Sequence, residues 1–459
     1  MSAIESFDIL VFGGGKAGKT LAMDQAKAGK RVAVVEAGMI GGSCINVACI
    51  PSKTLIRSAE VAHALRNSGE FGMNVEYVLP NLERVRDRTA RVVAEMVATN
   101  QAGFDRSGFE LVVGWGRFVG QKTIEVNTAT GTRTLTGERV YVNLGTTAAI
   151  PDIPGLADAD PITHVEALKL GDMPSRLIVL GGGYIGMELG QAFRRLGSEV
   201  VILDRGTRLA AREDDDVGDA IRSILEAEGL EIAFDCDVSA VSGRSGNAVS
   251  VETRDGRTFQ GSHLLVATGR RPMTSDIGME LAGIELTPQG FVVVDQHLQS
   301  SAPGVWAMGE VAGTPMFTHA SLDDYRVVAS QLRGGSRVTT GRIIPYCVFI
   351  DPEFARVGLN EKEARKNGIG YRLAKLSMDV VPRARTLSRR QGFMKALVAV
   401  ETDEILGFSM LGTQAGEVMT AVQMAMLGKL PYQTVRDAIV AHPTLSEGLG
   451  MLFGTVNPT

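Results

Sequence analysis

The sequence is poor in cysteine and in aromatic residues and has no excess of positive charge, and each of these features excludes a class of protein. Four cysteines among 459 residues are too few for a secreted disulfide scaffold. Aromatic residues make up 5% and the net charge is −5, which argues against nucleic-acid binding and against a basic membrane-surface protein. No apolar run approaches the ~18 residues of a membrane span, and the short apolar N-terminal stretch lacks the basic residues of a signal peptide. We therefore expect a cytoplasmic protein without membrane or nucleic-acid partners.

Glycine, in contrast, is abundant, and it is concentrated in two similar segments. The 54 glycines are about 12% of the chain, against a usual ~7%. Residues 7–36 and 176–204 each read as strand, glycine turn, helix, strand and acidic residue. That is the order and the length, roughly 30 residues, of a βαβ dinucleotide-binding unit. The first unit predicts strands at 7–12 and 31–35 with a helix from about residue 16. The second predicts strands at 177–180 and 199–203 around a helix at 184–196.

In each unit three glycines open the helix, and an acidic residue follows the second strand. The first glycine permits a tight turn, the second lets the backbone approach a pyrophosphate, and the third lets the helix pack on the strand. The acid then binds a ribose. These residues are Gly13, Gly15, Gly18 and Glu36 in the first unit, and Gly181, Gly183, Gly186 and Asp204 in the second. Two complete units predict two dinucleotides, FAD and NAD(P).

The acidic residue of the second unit bears on the choice of nicotinamide. A carboxylate at Asp204 accepts a hydrogen bond from a ribose 2′-hydroxyl and repels a 2′-phosphate, which favours NAD(H). Arg205 and Arg208 are close enough in sequence to reach a phosphate, so NADP(H) stays the alternative. The simpler interpretation of these two arginines is a solvated loop.

The segment GGSCINVACIPSK (residues 41–53) contains a close cysteine pair. Cys44 and Cys49 are about one helical turn apart, so a disulfide could close if the start of the helix is distorted. In a reducing compartment such a pair is catalytic or metal-binding, and the metal alternative is weaker because Cys236 and Cys347 offer no second ligand pair. The preceding glycines predict that Cys44 lies near a helix N-terminus with a lowered thiol pKa, to which Lys53 adds positive charge. We therefore predict a redox pair, and interpret Cys236 and Cys347 as buried apolar residues.

The rest of the chain divides into strands, a crossover and a region of another type. Residues 133–150 and 263–272 read as buried strands that end at a glycine near a cofactor, and the Pro and Gly residues at 151–155 indicate a domain crossover. Residues 80–100 predict a surface helix. From about residue 343, strands at 346–349, 394–400 and 407–411 mix with helices at 415–427 and 432–439, which predicts an α+β domain.

The segment at 41–53, the two glycine units, VWAMGEVAG (305–313) and AHPTLSE (441–447) together resemble one family over essentially the whole chain. This is the class I pyridine-nucleotide-disulfide oxidoreductases, which include glutathione reductase, dihydrolipoamide dehydrogenase and mercuric reductase. The resemblance implies an α/β fold of two Rossmann-like domains with a C-terminal α+β dimerisation domain, in a homodimer. The implied divisions are an FAD domain at 1–150 and 272–340, an NAD(P) domain at 151–271 and an interface domain at 341–459.

The resemblance also implies roles for individual side chains. Cys49 resembles the thiol beside the flavin and Cys44 the thiol that meets the substrate. Lys53, paired with Glu188, resembles the lysine near the reactive flavin nitrogen, and Tyr184 the aromatic residue that covers the flavin until nicotinamide enters. His442, oriented by Glu447, resembles the general acid–base of the family, which the other subunit supplies. An imidazole held by a carboxylate is suited to that task near neutral pH.

Further cofactor contacts follow from the same resemblance. For FAD, besides the first fingerprint and Lys53, they are Gly42, Ser43, Gly116, Gly145, Glu310, Met316, Phe317, Thr318 and His319. For the nicotinamide nucleotide, besides the second fingerprint, Tyr184 and Glu188, they are Ile185 and Gly269. Glu310 departs from the family, which has aspartate there; glutamate is one methylene longer and accepts the same hydrogen bond from a shifted backbone. No metal site is predicted.

Three subgroups compete for the electron acceptor. The segments at 317–328 and 381–390 resemble the reactive-chlorine-resistance reductases (RclA-like flavoproteins), which predicts a disulfide, oxidant or soft-metal acceptor. Dihydrolipoamide dehydrogenase of the 2-oxoacid dehydrogenase complexes is the alternative, favoured by AHPTLSE and Asp204. A mercuric-reductase-like metal-ion or quinone reductase is the second alternative; against mercury, no cysteine follows Cys347. In each, electrons are expected to pass from the nicotinamide through the flavin to the cysteine pair.

Overall fold

The first strands of the chain are apolar on both faces, as parallel strands in the middle of a sheet are. The computed structural model describes residues 4–457. In the first strand the last four residues are buried, and in the second only the terminal glutamate is partly exposed. The elements of this part are β1 (Ile4–Phe12), α1 (Lys16–Lys27), β2 (Val32–Glu36), α2 (Ser43–Asn46), α3 (Cys49–Arg66), α4 (Leu82–Ser107), β3 (Glu110–Gly120), β4 (Thr123–Thr128), β5 (Gly131–Val142) and β6 (Thr146–Ala148).

These strands form a sheet whose parallel part carries the first glycine unit. β2 and β5 flank β1 in parallel, with Leu10 opposite Ala33 on one side and Val140 on the other. β3 extends the parallel part beside β2, and β4 returns antiparallel to β5. The carboxyl ends of β1, β2 and β5 therefore meet at one edge, where ligands of such sheets bind.

The second glycine unit has the same arrangement around β7 and β8. Its elements are α5 (His164–Ala167), β7 (Arg176–Leu180), α6 (Tyr184–Leu196), β8 (Glu199–Leu203), α7 (Asp215–Ala227), β9 (Glu231–Ala233), β10 (Val238–Arg244), β11 (Ala248–Thr253), β12 (Thr258–Gly261), β13 (His263–Val266) and β14 (Arg270–Pro272). The order β13-β7-β8-β9 is parallel throughout, and β10, β11 and β12 form an antiparallel sheet. The predicted bounds of α6 and β8 are confirmed.

The chain then returns to the first sheet. β14 pairs antiparallel with β6, so the entry to and the exit from the second unit lie side by side. β15 (Val305–Ala307) adds parallel to β5 at the edge of the first sheet, and α8 (Thr318–Leu332) follows it.

The C-terminal region is an antiparallel sheet with helices, as the sequence predicts. Its elements are β16 (Tyr346–Val348), β17 (Phe354–Gly358), α9 (Glu361–Lys366), β18 (Tyr371–Ser377), α10 (Pro382–Thr386), β19 (Phe393–Ala399), β20 (Ile405–Leu411), α11 (Ala415–Leu427), α12 (Tyr432–Arg436) and α13 (Gly448–Phe453). The strand order is β16-β17-β20-β19-β18. The predicted helix at 432–439 is too long. α12 ends at Arg436 because residues 437–440 are exposed, and no packing stabilises another turn.

The α/β class with two dinucleotide-binding sheets and a C-terminal α+β region is confirmed. No helix between residues 4 and 457 has the length and apolar character needed to cross a membrane. Within the same residues, no group of three or more His, Cys, Asp or Glu side chains is arranged to hold a metal ion.

Candidate active site

Two helices meet at the cysteine pair. Cys44 lies in the four-residue α2, and Cys49 is the first residue of α3. Val47 and Ala48 between them have non-helical backbone, so the chain bends there. The bend brings the two side chains, both free thiols, within hydrogen-bonding reach of each other. It supplies the distorted helix start that a disulfide at this spacing requires.

The two thiols are unequal, and the pKa of Cys44 is shifted in the direction opposite to the predicted one. Hydrogen bonds from Cys44 and then Thr318 lower the pKa of Cys49 to about 6, with a further contribution from the charge of Lys53. The Thr318 Oγ1 lies 3.5 Å from the Cys49 Sγ. The pKa of Cys44 is raised, first by its hydrogen bond with Cys49 and then by burial. The prediction of a lowered pKa at Cys44 is wrong because its hydrogen bond with Cys49 and its burial outweigh the lowering effects of Thr318 and Lys19.

A salt bridge joins the cysteine helix to the helix of the second glycine unit. Lys53 is one turn beyond Cys49 in α3, and Glu188 is one turn beyond Tyr184 in α6, so each pair shares a helix face. The Lys53 Nζ lies 2.6 Å from the Glu188 Oε2. The other oxygen of Glu188 accepts a hydrogen bond from the main-chain N–H of Phe349 at 2.8 Å. The expected Lys53–Glu188 pair is thus present, with the carboxylate held at both oxygens.

Tyr184 belongs to a half-buried aromatic cluster around the buried Glu213, which the sequence did not reveal. Its hydroxyl donates to the Glu213 Oε1 at 2.9 Å, and the hydroxyl of Tyr346 donates to the same oxygen at 2.5 Å. The two rings are stacked with centroids 5.9 Å apart, and Tyr346 stacks in turn on Phe317 at 5.5 Å. Burial and the Glu213 charge raise the pKa of both phenols. Glu213 stands in an acidic run that reads as a solvated surface, and no local pattern distinguishes it.

Both glycine fingerprints have the backbone that a dinucleotide needs. Gly13 and Gly181 have φ values of 103° and 110°, which favour glycine. A Cβ at Gly181 would also lie 2.6 Å from the Ala267 carbonyl oxygen. A Cβ at Gly186 would overlap the carbonyl oxygen of Gly181, so the helix packs directly on the turn. At Gly183 a Cβ would meet nothing within 4 Å. No atom of residues 4–457 accounts for a glycine at Gly183, and the position fits the approach of a pyrophosphate.

The first fingerprint is supported by a buried asparagine. Asn143 accepts a hydrogen bond from the Gly18 N–H at 2.9 Å and donates one to the Met308 carbonyl at 2.7 Å. A Cβ at Gly15 would lie 2.7 Å from the same Oδ1. Asn143 follows an apolar strand and precedes Gly145 by two residues. Asn143 was not predicted from the sequence; an asparagine at the end of a buried strand was the one feature that could have indicated its role.

The acidic residues after the second strands accept hydrogen bonds from the glycine turns. Glu36 accepts from the main-chain N–H of Gly14 at 2.8 Å, and Asp204 accepts from that of Gly182 at 2.6 Å. Each carboxylate thus lies at the mouth of its glycine turn. Arg208, one of the two arginines that might reach a phosphate, pairs with Asp215 at 2.5 Å and with Asp219 at 3.2 Å.

The remaining expected contacts lie near the first fingerprint and the start of α8 for FAD, and in the second glycine unit for the nicotinamide nucleotide. A Cβ at Gly42 would lie 2.8 Å from the Gly15 Cα, so the turn before Ser43 and Cys44 packs on the fingerprint. A Cβ at Gly116 would lie 2.9 Å from the ring of Phe12, at the end of β1. At Gly145 and Gly269 a Cβ would face open space. Met316 and Phe317 precede α8, and Thr318 and His319 are its first residues; Phe317 stacks on His319, and Thr318 faces Cys49. Ile185 follows Tyr184 in the first turn of α6.

Glu310 has partners that the sequence did not predict. Its carboxylate accepts a hydrogen bond from Thr146 and lies 3.5 Å from the guanidinium of Arg270. Arg270 also donates to the Thr146 hydroxyl at 2.7 Å. These partners lie on β6 and β14, so the extra methylene of glutamate reaches the ribbon that joins the two nucleotide units.

His442 lies apart from the thiols within one chain. It is on the segment before α13, where its side chain is 71% exposed and its Nδ1 is 2.8 Å from the Glu447 Oε2. Among the described residues no hydrogen bond connects it to Cys44 or Cys49. The expected His442–Glu447 pair is present, on an open face of the C-terminal region.

The comparisons with known proteins agree with this arrangement. A family model described as pyridine nucleotide-disulphide oxidoreductase matches residues 7–324, and the model of its dimerisation domain matches residues 344–452. The chain is 35% identical to a probable pyridine nucleotide-disulfide oxidoreductase, RclA, of Escherichia coli, over 99% of this chain and all of that protein. It is 34% identical to a dihydrolipoyl dehydrogenase of Thermus scotoductus, over 97% of this chain and 96% of that protein. A mercuric reductase of Bacillus cereus is 31% identical, over 96% of this chain and 70% of that protein.

Solved structures give the same result. The structure of a Cu(II) complex of the HOCl-induced flavoprotein disulfide reductase RclA from Escherichia coli superposes with a TM-score of 0.91 at 35% identity. The match covers 99% of this chain and 100% of that one. The expected resemblance is thereby confirmed over the full length.

Proposed function

This chain belongs to the pyridine nucleotide-disulphide oxidoreductase family, and we propose that it is an RclA-like reductase that delivers electrons to its acceptor through Cys44 and Cys49. Family membership implies FAD and a nicotinamide nucleotide as cofactors, and the dimerisation domain supports a homodimer. The observation that carries the proposal is the pair of free thiols that the bend at residues 47–48 brings together at the start of α3, with Thr318 beside Cys49 and with pKa changes of opposite direction. Such a pair suits one thiolate that is held in place and one thiol that exchanges.

Each side chain at the site has a task in this proposal. Bound FAD would supply the two-electron transfer between the nicotinamide and sulfur. Cys49, ionised near neutral pH, would be the thiol beside that cofactor, and Lys53, fixed by Glu188, would supply positive charge there. His442, oriented by Glu447, would serve the thiols of the other subunit of the dimer, because its exposed face is free to meet them.

The proposed reaction with a disulfide acceptor consists of two thiol–disulfide exchange steps. His442 takes the proton of the Cys44 thiol, and the resulting thiolate attacks the acceptor disulfide. One acceptor sulfur leaves as a thiol with the proton that His442 gives back, and a mixed disulfide forms. Cys49 then attacks the Cys44 sulfur, which closes the Cys44–Cys49 disulfide and releases the second acceptor sulfur. With Cu(II) as acceptor, two ions are each reduced to Cu(I) while the dithiol becomes a disulfide and loses two protons. Cu(II) enters the proposal because the related RclA structure is a Cu(II) complex.

NAD(H) is the nicotinamide that the site favours. Asp204 stands where the ribose of a nucleotide would lie, and Arg208 is already paired with Asp215 and Asp219. A carboxylate there accepts from a 2′-hydroxyl and disfavours a 2′-phosphate. We also propose the domain divisions after residues 150, 271 and 340. The pairing of β6 with β14 supports the first two, since the chain crosses between the nucleotide units at that ribbon.

The test is an anaerobic assay of NADH and NADPH oxidation with glutathione disulfide, lipoamide, a quinone, Hg(II) and Cu(II). We expect NADH to be preferred, and expect disulfide or Cu(II) reduction to be lost in Cys44→Ser and in Cys49→Ser. Cys236→Ser is the matched control, because that thiol is buried away from the pair. Undiminished turnover in the double Cys44→Ser, Cys49→Ser variant would contradict the dithiol route and favour direct reduction of a quinone.

Dihydrolipoamide dehydrogenase is the second candidate. Its support is the 34% identity to the Thermus scotoductus enzyme over nearly all of both chains. A turnover with lipoamide far above that with the other acceptors, together with co-purification with an acyltransferase core, would favour it over the RclA-like proposal.

A further inference from the structure

Lys19 is a buried lysine for which the proposed function has no task. It follows the last glycine of the first fingerprint in α1 and is 6% exposed. Lysines this deep are usually paired with carboxylates. The Lys19 Nζ instead donates to the main-chain carbonyl of Gly41 at 3.1 Å and to the Asn100 Oδ1 at 2.5 Å. Both acceptors are neutral, and among residues 4–457 no salt bridge compensates the ammonium.

The acceptors of Lys19 belong to the turn that leads into Cys44. The side-chain amide of Asn46 donates to the carbonyls of residues 40 and 42, at 3.0 Å and 2.9 Å. Lys19 binds the carbonyl between them, so three successive carbonyls of the turn are held by side chains. Asn100 extends this clamp to α4. The position of Cys44 is thereby tied to α1 and α4 as well as to its own helix.

The same ammonium acts on Cys44 through its charge. Three neighbours act on the pKa of Cys44. Cys49 raises it, and Thr318 and Lys19 lower it. Lys19 is faced by Lys16 and by Cys44; its pKa is lowered to about 8, first by burial and then by Lys16. A cation that faces a thiol in a poorly solvated site favours the thiolate.

We propose that Lys19 is a positioning residue for Cys44, which fixes the turn before that thiol and supplies the positive charge that favours its thiolate form. This inference rests on the proposed function, since it takes Cys44 to be the thiol that meets the acceptor. The purpose follows from the chemistry of exchange. Cys44 must ionise to attack, while its contact with Cys49 and its burial oppose ionisation.

The test measures the alkylation of Cys44 by iodoacetamide in the reduced, FAD-loaded protein carrying Cys49→Ser, with the modified peptide identified by mass spectrometry. In this background Lys19→Met and Lys19→Gln remove the charge, and Lys19→Gln keeps a donor for the Gly41 carbonyl. We expect alkylation near pH 7 to be about ten-fold slower in both variants. Loss of one neighbouring positive charge in a half-buried site should raise the pKa of Cys44 by about one unit, which lowers its thiolate fraction about ten-fold. The difference in alkylation rate between the parent and these variants should become smaller above about pH 8, because Lys19 itself then loses its proton.

Two further variants complete the design. Lys19→Arg keeps the charge and should recover most of the alkylation rate. Lys27→Met, on an exposed position of the same helix, is the matched control and should behave as the parent. Unchanged alkylation profiles in Lys19→Met and Lys19→Gln would overturn the inference, whether or not the variants melt at lower temperature. If Lys19→Met does not fold, the comparison of Lys19→Gln with Lys19→Arg decides the question by the same criterion.

The test of Lys19 and the test of the proposed function can fail independently. If Cys44→Ser keeps full turnover while Lys19→Met slows alkylation, Lys19 still positions Cys44, but Cys44 is not the thiol that meets the acceptor. If Cys44→Ser is inactive and the Lys19 variants alkylate as the parent does, the proposed function stands and the role of Lys19 is refuted.

Discussion

The substitution Gly183→Ala separates the fold of the second glycine unit from its use of a dinucleotide. Gly183 has φ −73° and ψ −177°, which alanine adopts without strain, and its Cβ would face open space. Replacing a glycine at such a position changes the free energy of unfolding by less than about 1 kcal/mol. The added methyl group would, however, stand between the backbone N–H groups and a bound pyrophosphate.

The expected loss is one or two charge-assisted hydrogen bonds. Each contributes about 1.5–3 kcal/mol, so the Kd for NAD⁺ should rise at least about ten-fold. The assay is calorimetric titration of the FAD-loaded protein with NAD⁺, together with thermal melting followed by circular dichroism. Gly186→Ala is the contrasting variant, because its Cβ would overlap the Gly181 carbonyl and should destabilise the unit.

Gly103→Ala in α4 is the matched control, since its Cβ would make only an ordinary contact, 3.6 Å from a methionine methyl group. It should leave both the Kd and the melting temperature close to those of the parent. If Gly183→Ala binds NAD⁺ as tightly as the parent does, the backbone at Gly183 is not in contact with the pyrophosphate. In that case our interpretation of the open space at this position is refuted.

Other regions give predictions of the same kind. Burial and Arg270 lower the pKa of His164 to about 4. As the pH falls, the unfolded chain therefore binds a proton at His164 before the folded chain does, and the free energy of unfolding should decrease by on the order of 3 kcal/mol between about pH 6.5 and pH 4. Urea unfolding of His164→Gln should show a smaller decrease over the same pH range. Thr318→Val removes a hydrogen bond to the Cys49 sulfur and should raise the pKa of Cys49 from about 6 toward about 7; an unchanged pH titration of thiolate ultraviolet absorbance would contradict this. Lys53→Met and Glu188→Gln should show a coupling of about 1 kcal/mol in a double-mutant cycle of thermal stability, because Glu188 is buried while Lys53 is half-buried; additive effects would disprove the coupling.

Much of the site could be predicted because its parts are local in sequence. Each glycine unit is complete within about 30 residues, and the turn, the helix start and the acidic residue are fixed by backbone geometry alone. The cysteine spacing and the lysine one turn later are equally local. The Lys53–Glu188 and His442–Glu447 pairs came from a family resemblance, and both are present in the structure.

The parts that escaped prediction depend on residues far apart in the chain. Thr318, which lowers the pKa of Cys49, is 269 positions from it, and Tyr346 is 133 positions from the Glu213 that binds it. Asn100, which orients the ammonium of Lys19, is 81 positions away from that residue. No periodicity relates such residues, since they meet only where separate sheets and helices pack.

The sequence alone determined the class of the protein, its two nucleotide units and the identity of its thiol pair. Short-range backbone geometry and residue chemistry are sufficient for these. Only the tertiary structure decided which thiol is the more acidic, because that depends on the break at residues 47–48 and on the start of α8 beside Cys49. It also decided where the charge of Lys19 acts, because a buried ammonium affects the groups around it in space, whatever their place in the sequence.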